Sequence, residues 1–391
     1  MSKVKLRSEK QSILDTVYLQ HATPEDRARF NEIIAEGEEA WRSRHQTPKR
    51  ETLVAPKAVD ALALARWLGG DGTGVPPISH SDDLERVSAA LDNARRYFDG
   101  TVLEFFRTQL AQCKADDGSL GPAEALPLTL AVVGAIRQHS NDVPAELRRA
   151  FLALGSDAAE FAGWLYRDLN DPMTATFLYD RSMEWAQEAG SLPMQGYVLL
   201  KRSEMAYDSR EAGPLLGLAR AAKEGPWQLP CRVQAQAVQQ EALGLAMNGE
   251  PVAAVEECIS RAEQLLAQAD GTDDRELVSN FDESTLRVRA AVCYTEAGKP
   301  QRATELFGQV LKAGGLSRRD AGFFSARQAK ALALSGEPDE AAAVATKSVS
   351  VGLETQSRRT MRVVEDVLRT LSPWDHRPGV RLLREAVEVS G

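Results

Sequence analysis

One short sequence motif recurs four times in the chain and constrains its fold more than any other feature. Each copy has Gly or Asn two residues before a Pro and five residues before an Ala, and the copies begin at Asn170, Gly249, Gly298 and Gly336. Gly and Asn accept the left-handed conformation that ends a helix, and Pro fits the first turn of a helix, where its missing N–H costs nothing. The small Ala lets two helices approach closely. Each copy therefore predicts a tight turn inside a helical hairpin.

The segments around these turns have the composition and spacing of helices. Ala-rich stretches precede the last two turns, and Ala303, Leu306, Phe307 and Val310 show the helical spacing of apolar residues that follows them. A weaker fifth copy begins at Arg210, with its proline displaced by two positions, so that the turns are spaced by about 40, 39, 49 and 38 residues. A repeat of this period indicates an array of helical hairpins.

The array resembles tetratricopeptide (TPR) repeats. The small residue, aromatic, alanine and aromatic of the TPR pattern are matched by Gly163, Tyr166, Ala175 and Tyr179 in one repeat and by Ala291, Tyr294, Ala303 and Phe307 in another. The third and fifth hairpins lack the aromatics, and the period exceeds the TPR standard of about 34 residues. The resemblance implies an all-α fold, a TPR-like α-solenoid in which helical hairpins form a right-handed superhelix. The pattern near the N-terminus adds an extra helix to it.

The chain divides by composition into three segments. Residues 1–22 are expected to be an N-terminal tail, 23–80 an amphipathic helix and a Pro/Gly-rich linker, and 81–391 the repeat domain with a capping helix from Pro378 to Val389. Thr23 and Pro24 form a good helix start for the amphipathic helix over 24–46. This helix needs a partner, and packing on the array or on a second subunit of a homodimer are both open.

Two further helical stretches are expected ahead of the repeats, at 82–113 and 123–154. In the first of them the expected buried face consists of Tyr97, Val102, Phe105, Phe106 and Leu110.

Charge and residue usage exclude several classes of protein. The net charge of −9 repels a phosphate backbone, so direct nucleic-acid binding is not expected. The longest apolar run, 126–136, is too short for a membrane span, and the charged start of the chain is not a secretory signal, so a cytoplasmic location is expected. The four Cys and five His are scattered, so neither disulfides, nor a metal site, nor a cofactor is expected, and the cysteines are interpreted as small buried apolar residues. No Ser/His/Asp, Cys/His or paired-carboxylate motif stands out, which favours a non-enzymatic role.

A polar column is the best candidate for a ligand groove. In the TPR register Lys201, Arg289 and Arg327 occupy equivalent positions on the first helices of their hairpins, with Gln240 between them. Tyr207 and Gln236 are a second candidate patch, and solvated surface charge is the alternative interpretation. Four tryptophans are expected to pack between helices rather than to contact ligand: Trp164, Trp185, Trp227 and Trp374.

The amino-acid sequence of the later part of the chain also resembles that of a known family. The stretches 160–168, 183–190 and 371–374 resemble the C-terminal TPR-like half of bacterial Xre-type transcriptional regulators, over roughly residues 84–390. This resemblance implies a region that senses a signal or mediates dimerisation, whereas the helix-turn-helix of the family is not recognisable here. We therefore expect a regulatory or sensor protein that binds a peptide, a small-molecule signal or a protein partner. The alternatives are a complete DNA-binding regulator with an unrecognised element in residues 1–60, and a scaffold or adaptor for protein–protein assembly.

Overall fold

The computed structural model describes residues 23–24, 81–269, 277 and 281–389. The chain divides into two units, Met1–Lys57 and Ala58–Gly391, and every helix described below belongs to the second. The expected tail, linker and N-terminal amphipathic helix lie outside the described residues, apart from Thr23 and Pro24. Those expectations stay predictions.

The described residues form an all-helical protein without strands, made of sixteen α-helices and one short 3₁₀ helix at Ser372–Trp374. The α-helices are α1 (Ser81–Asp92), α2 (Ala94–Tyr97), α3 (Gly100–Leu120), α4 (Pro122–His139), α5 (Ala145–Asp168), α6 (Pro172–Ala189), α7 (Leu192–Asp208), α8 (Ala212–Glu224), α9 (Cys231–Met247), α10 (Val252–Ala267), α11 (Glu283–Glu296), α12 (Pro300–Ala313), α13 (Arg318–Leu334), α14 (Pro338–Glu354), α15 (Arg358–Leu371) and α16 (Pro378–Glu388).

Adjacent helices pack in a repeating succession. From α5 to α14 the helices pair as hairpins, α5 with α6, α7 with α8, and so on to α13 with α14. The first helix of one hairpin also contacts the first helix of the next, as α7 does with α9, α9 with α11 and α11 with α13. The first helices therefore form one continuous layer.

The turns within the five hairpins have the predicted left-handed residue. The φ angles are 59° at Asn170, 62° at Arg210, 75° at Gly249, 71° at Gly298 and 83° at Gly336. In each turn the next residue donates its backbone N–H to the carbonyl five residues earlier, which satisfies a carbonyl that the helix end leaves open. The turn prediction is confirmed, including the degenerate copy at Arg210.

The alanine of the turn motif is buried in three copies and displaced in the fourth. Ala175, Ala303 and Ala341 are fully buried at the fourth position of their helices. In the turn at Gly249 the helix begins one residue later, at Val252, so Val255 takes the buried position and Ala254 lies partly exposed. The expected close approach at Ala254 was wrong, because the fourth residue of each of these helices is the buried one, and Ala254 is the third residue of its helix.

The segment before the repeats differs from the sequence expectation. Asn93 and the pair Phe98–Asp99 interrupt the first expected helix, and Asp99 begins α3 by accepting the backbone N–H groups of Thr101 and Val102. Tyr97, which ends the short α2, is 45% exposed instead of buried. The second stretch is likewise broken between α4 and α5, where Pro144 precedes the new helix.

Other expectations are met in part. Cys113 and Cys293 are buried, but Cys231 and Cys258 are only half-buried, and all four are free. The C-terminal helix ends one residue before the expected Val389 and packs on α14 and α15. No helix of the described ranges combines the length and apolar character that crossing a bilayer requires.

Candidate ligand cavity

The two ends of the helical array contact each other. α13 packs on α3 and α15 on α5, so the layer of first helices turns back on itself. Two buried ion pairs join these helices: Arg319 binds Asp117, and Arg359 Nε lies 3.3 Å from Asp168 Oδ1. The result is a cavity of 590 Å³ between the first helices, which is a usual size for a small-molecule site.

All six residues of the sequence-predicted groove border this cavity: Lys201, Tyr207, Gln236, Gln240, Arg289 and Arg327. The side chains of Lys201 and Arg289 are only 11% and 24% exposed, so they are not solvated surface charge. The structure thus brings the polar column and the second candidate patch together in one site.

Glu204 is the centre of a saturated hydrogen-bond network in the cavity wall. It is 3% exposed and accepts hydrogen bonds from Arg167 Nη1 at 2.6 Å, Arg289 Nη1 at 2.7 Å and Gln236 Nε2 at 2.8 Å. Burial alone would raise the pKa of this carboxyl, but the cations Arg289, Lys201 and Arg167 hold the pKa well below its ordinary value. Both oxygens are occupied, so Glu204 is a structural anion rather than a free base.

Trp164 is a cavity residue that the sequence interpretation missed. Its ring lies under four cations, with Arg359, Arg319, Arg167 and Lys201 at 4.6, 4.9, 5.6 and 5.8 Å from the ring centroid. Its indole N–H donates to Asp117 Oδ2 at 3.0 Å. All four tryptophans pack in or against the core clusters, as expected, and Trp164 borders the cavity as well.

A sequence signal for Trp164 exists in the helical register. Glu160, Trp164 and Arg167 follow one another at four and three residues on α5, and all three border the cavity. The same reasoning on α7 groups Lys201, Glu204 and Asp208. Polar residues at helical spacing on the first helices therefore indicate the site better than the single column of equivalent repeat positions does.

Glu160 is a buried carboxylate with an unused oxygen. It is 4% exposed, and its Oε1 lacks a hydrogen-bond partner among the described residues. Lys201 Nζ lies 3.6 Å away, beyond a good hydrogen bond, and sits over the Tyr197 ring at 4.7 Å. Burial raises the pKa of Glu160, and the ammonium groups of Lys201 and Lys114 only partly offset that rise.

Arg327 forms no ion pair with a carboxylate of the described residues, although it lies near enough to Glu296 and Asp208 to lower the pKa of both. Its guanidinium stacks between Tyr207, at 4.9 Å, and Phe323, at 5.2 Å, and its Nε is buried without a hydrogen-bond partner among the described residues. The nearby Glu296 is already occupied by both Nη atoms of Arg210, at 2.6 and 2.8 Å. Arg327 is thus available to an anion from outside.

Two neighbouring amides also have unsatisfied ends. Gln239 and Gln240 are each 1% exposed and border the cavity, yet Gln239 Oε1 and Gln240 Nε2 have no hydrogen-bond partner among the described residues. Buried polar atoms are rarely left in this state, because each unpaired group costs about 1–3 kcal/mol. The two amides are therefore the least satisfied uncharged polar groups next to the cavity.

The chemistry of the wall is that of a binding site for a polar molecule. Neither His nor Cys is present among the described residues that border the cavity. Within the described ranges, no group of three or more His, Cys, Asp or Glu residues is placed to hold a metal ion. Cations, carboxylates, amides and aromatic faces make up the groups that border the cavity.

Fold and site together define the class: an all-helical protein of successive hairpins that encloses a polar cavity. Comparison with protein families, curated proteins and solved structures finds no match to this chain.

Proposed function

We propose that this chain is a non-enzymatic regulatory or sensor protein, a TPR-like α-solenoid that binds a small polar ligand in its central cavity. The right-handed superhelix and the relationship to Xre-type regulators are part of this proposal. It is supported by the recurring hairpin turns and by the continuous layer of first helices. A ligand in the cavity would contact several hairpins at once, which links its binding to the shape of the array.

One observation carries the proposal. The residues that border the cavity include Arg327, which forms no ion pair among the described residues, and Gln239, Gln240 and Glu160, each of which has an unsatisfied polar atom. Such groups cost free energy when empty and regain it when a complementary ligand binds. Catalysis is less well supported, because Glu204 and Asp208, the cavity carboxylates whose pKa values are lowered, already accept hydrogen bonds from Arg167.

The test is a search for a bound compound in the full-length protein. Native mass spectrometry would compare the purified protein before and after incubation with a low-molecular-mass bacterial extract. We expect a compound that the protein retains when native and releases when denatured. The variant Ala111→Trp adds a large side chain at an exposed position on the cavity rim and should abolish retention.

The matched control is Ala343→Trp, at an exposed position on α14 that does not border the cavity. It should retain the compound as the unmodified protein does. If no compound is retained, or if both variants retain it equally, the cavity is not a ligand site and the proposal fails.

A further inference from the structure

Most of the cations that border the cavity already hold a carboxylate that borders it too. Five of them form such ion pairs among the described residues: Lys114, Arg167, Lys201, Arg289 and Arg319. Arg327 forms no hydrogen bond with the described residues, and Arg359 uses only its Nε, 3.3 Å from an Asp168 oxygen that lies outside the cavity border. Arg327 and Arg359 are therefore the two open arginines of the cavity.

The Nη atoms of the open arginines remain accessible. The polar side-chain atoms that are covered by protein and unsatisfied in the described ranges include Arg327 Nε, but no Nη atom of Arg327 or Arg359. Since these Nη atoms donate no hydrogen bond there either, they retain accessible surface, although Arg359 as a whole is only 9% exposed. Buried charged groups are normally paired, so these free donors are suited to an anion that enters the cavity.

The two open arginines lie on the same aromatic ring. Arg359 Cζ is 3.9 Å and Arg327 Cζ 5.2 Å from the centroid of the Phe323 ring, so the two carbons are at most about 9 Å apart. The pKa of Asp208 is raised by burial, lowered by its partner Arg167, and lowered further by both open arginines, which places both near this carboxylate. One phosphate group with a charge-assisted hydrogen bond of about 2.7–2.9 Å on either side spans a gap of this order.

We infer that Arg327 and Arg359 bind the phosphate group of a phosphorylated small molecule. This inference rests on the proposed ligand-binding function and names the chemical class of its ligand. A phosphate monoester carries a charge of about −1.5 to −2 at pH 7 and three acceptor oxygens, which matches two guanidinium groups. A carboxylate has a single charge and two oxygens, enough for one of them. The volume of 590 Å³ leaves room for the remainder of a small molecule.

The electrostatics at Arg359 favour an added anion. Burial lowers the pKa of this guanidinium, and the neighbouring cations Arg167 and Arg319 lower it further, whereas Asp168 and Asp208 oppose the change without reversing it. The positive charge of Arg359 is thus only partly compensated in the free protein. A bound phosphate would supply the opposite charge that is lacking.

The phosphate site lies where the two ends of the array meet. Arg327 belongs to α13 in the last hairpin, and Arg359 belongs to α15, which follows that hairpin and packs on α5. Trp164 of α5 is 4.6 Å from Arg359 Cζ, measured to the ring centroid. A phosphate group held by both arginines would therefore stabilise the contact between the ends.

The first experiment is equilibrium dialysis of radiolabelled inorganic phosphate against the full-length protein in phosphate-free buffer. We expect saturable binding that acetate at equal ionic strength does not displace. Arg327→Gln should weaken this binding about tenfold to a hundredfold, the effect of one charged hydrogen bond. Because Arg327 holds no carboxylate of the described residues, this change leaves no anion there without its partner, and circular dichroism checks that the fold is kept.

Two further variants test the second arginine. Arg359→Lys keeps the positive charge near Asp168 but removes the forked Nη edge, so phosphate should again bind more weakly. Arg358→Gln is the matched control, because it removes a positive charge from an exposed neighbouring position on α15 that does not border the cavity. It should bind phosphate as the unmodified protein does.

The second experiment uses the low-molecular-mass bacterial extract. One portion is treated with alkaline phosphatase, which is then removed by filtration, and a second portion receives heat-inactivated phosphatase. By native mass spectrometry, the protein should retain a compound from the second portion and not from the first. Inorganic phosphate in excess should also displace that compound.

The outcomes separate this inference from the proposed function. A compound that is retained equally after phosphatase treatment overturns the phosphate inference but leaves a ligand cavity in place. Phosphate binding that acetate displaces equally well, or that the variants of both open arginines leave unchanged, also overturns only the inference. If neither phosphate nor any compound of the extract is retained, both the inference and the proposed function fail.

Discussion

At the scale of single residues, Glu204 determines how the cavity wall holds its charge. Three side chains donate to it, and its pKa is held well below its ordinary value of 4.5 by Arg289, Lys201 and Arg167, against the opposing effect of burial. A carboxylate with a lowered pKa in the folded state stabilises the fold above its unfolded pKa. That stabilisation is lost as the pH falls through the folded value.

We therefore expect Glu204→Gln to lower the free energy of unfolding at pH 7 by about 3–5 kcal/mol, because Arg167 and Arg289 lose their shared buried anion. The deficit relative to the unmodified protein should shrink as the pH falls below 4.5, where Glu204 takes up a proton in the unfolded state but stays ionised in the folded state. Urea unfolding at a series of pH values measures both effects.

The control for Glu204 is Glu184→Gln, which breaks a surface ion pair with Arg181. Such pairs contribute about 0–1 kcal/mol, so this change should be nearly neutral at every pH. A Glu204→Gln deficit that stays constant down to acid pH would mean that lost packing, and not charge, explains the effect.

At the scale of elements, the hairpin turn is the unit that the sequence specifies best. Gly336 has a φ of +83°, and a Cβ at this position would meet no atom within 4 Å. Any cost of a side chain there comes from the backbone conformation alone. Gly308 lies in the helical backbone of α12, where a Cβ would make only ordinary contact with Gln328 at 3.7 Å.

The two glycines should respond in opposite directions to alanine. We expect Gly336→Ala to destabilise the protein by about 1–2 kcal/mol, the cost of a left-handed L-residue. Gly308→Ala should stabilise it by up to about 1 kcal/mol, because Ala is the better helix former. Thermal unfolding monitored by circular dichroism compares the two, and an unchanged or raised melting temperature of Gly336→Ala would show that the turn does not require this conformation.

The sequence predicts features that depend on neighbouring residues and misses those that depend on distant ones. The turns at Asn170 and Gly298 depend on adjacent residues, so a local pattern predicts them. The inward-facing set that includes Lys201 and Arg289 follows from helical register. The contact between Asp117 and Arg319 joins residues 202 positions apart, and no local pattern indicates it.

At the scale of the whole molecule, the contact between the array ends determines whether a cavity exists. Gly118 on α3 lies against the segment that begins α13, and a Cβ at Gly118 would be 2.9 Å from Ser317 Cβ. The absence of a side chain at this position allows Asp117 and Arg319 to meet. A larger residue there would act as a wedge between the ends without removing any charge.

We expect Gly118→Leu to separate α3 from α13 and to increase the radius of gyration measured by small-angle X-ray scattering. Helix content should be unchanged, because Leu favours a helix more than Gly does. Overpacking at the contact should cost about 1–3 kcal/mol, and retention of the cavity ligand should fall. Gly217→Leu on α8 is the matched control, since a Cβ there would meet nothing within 4 Å.

The result at Gly118 decides whether the contact between the ends is needed for ligand binding. If the wedge enlarges the particle and ligand retention falls while Gly217→Leu changes neither, binding depends on closure of the array. Binding energy would then favour the closed form, because a ligand shifts an equilibrium only by its difference in affinity for the two states. If the particle enlarges but retention is unchanged, one side of the array holds the ligand alone, and contacts such as Arg319–Asp117 stabilise the fold without contributing to the site.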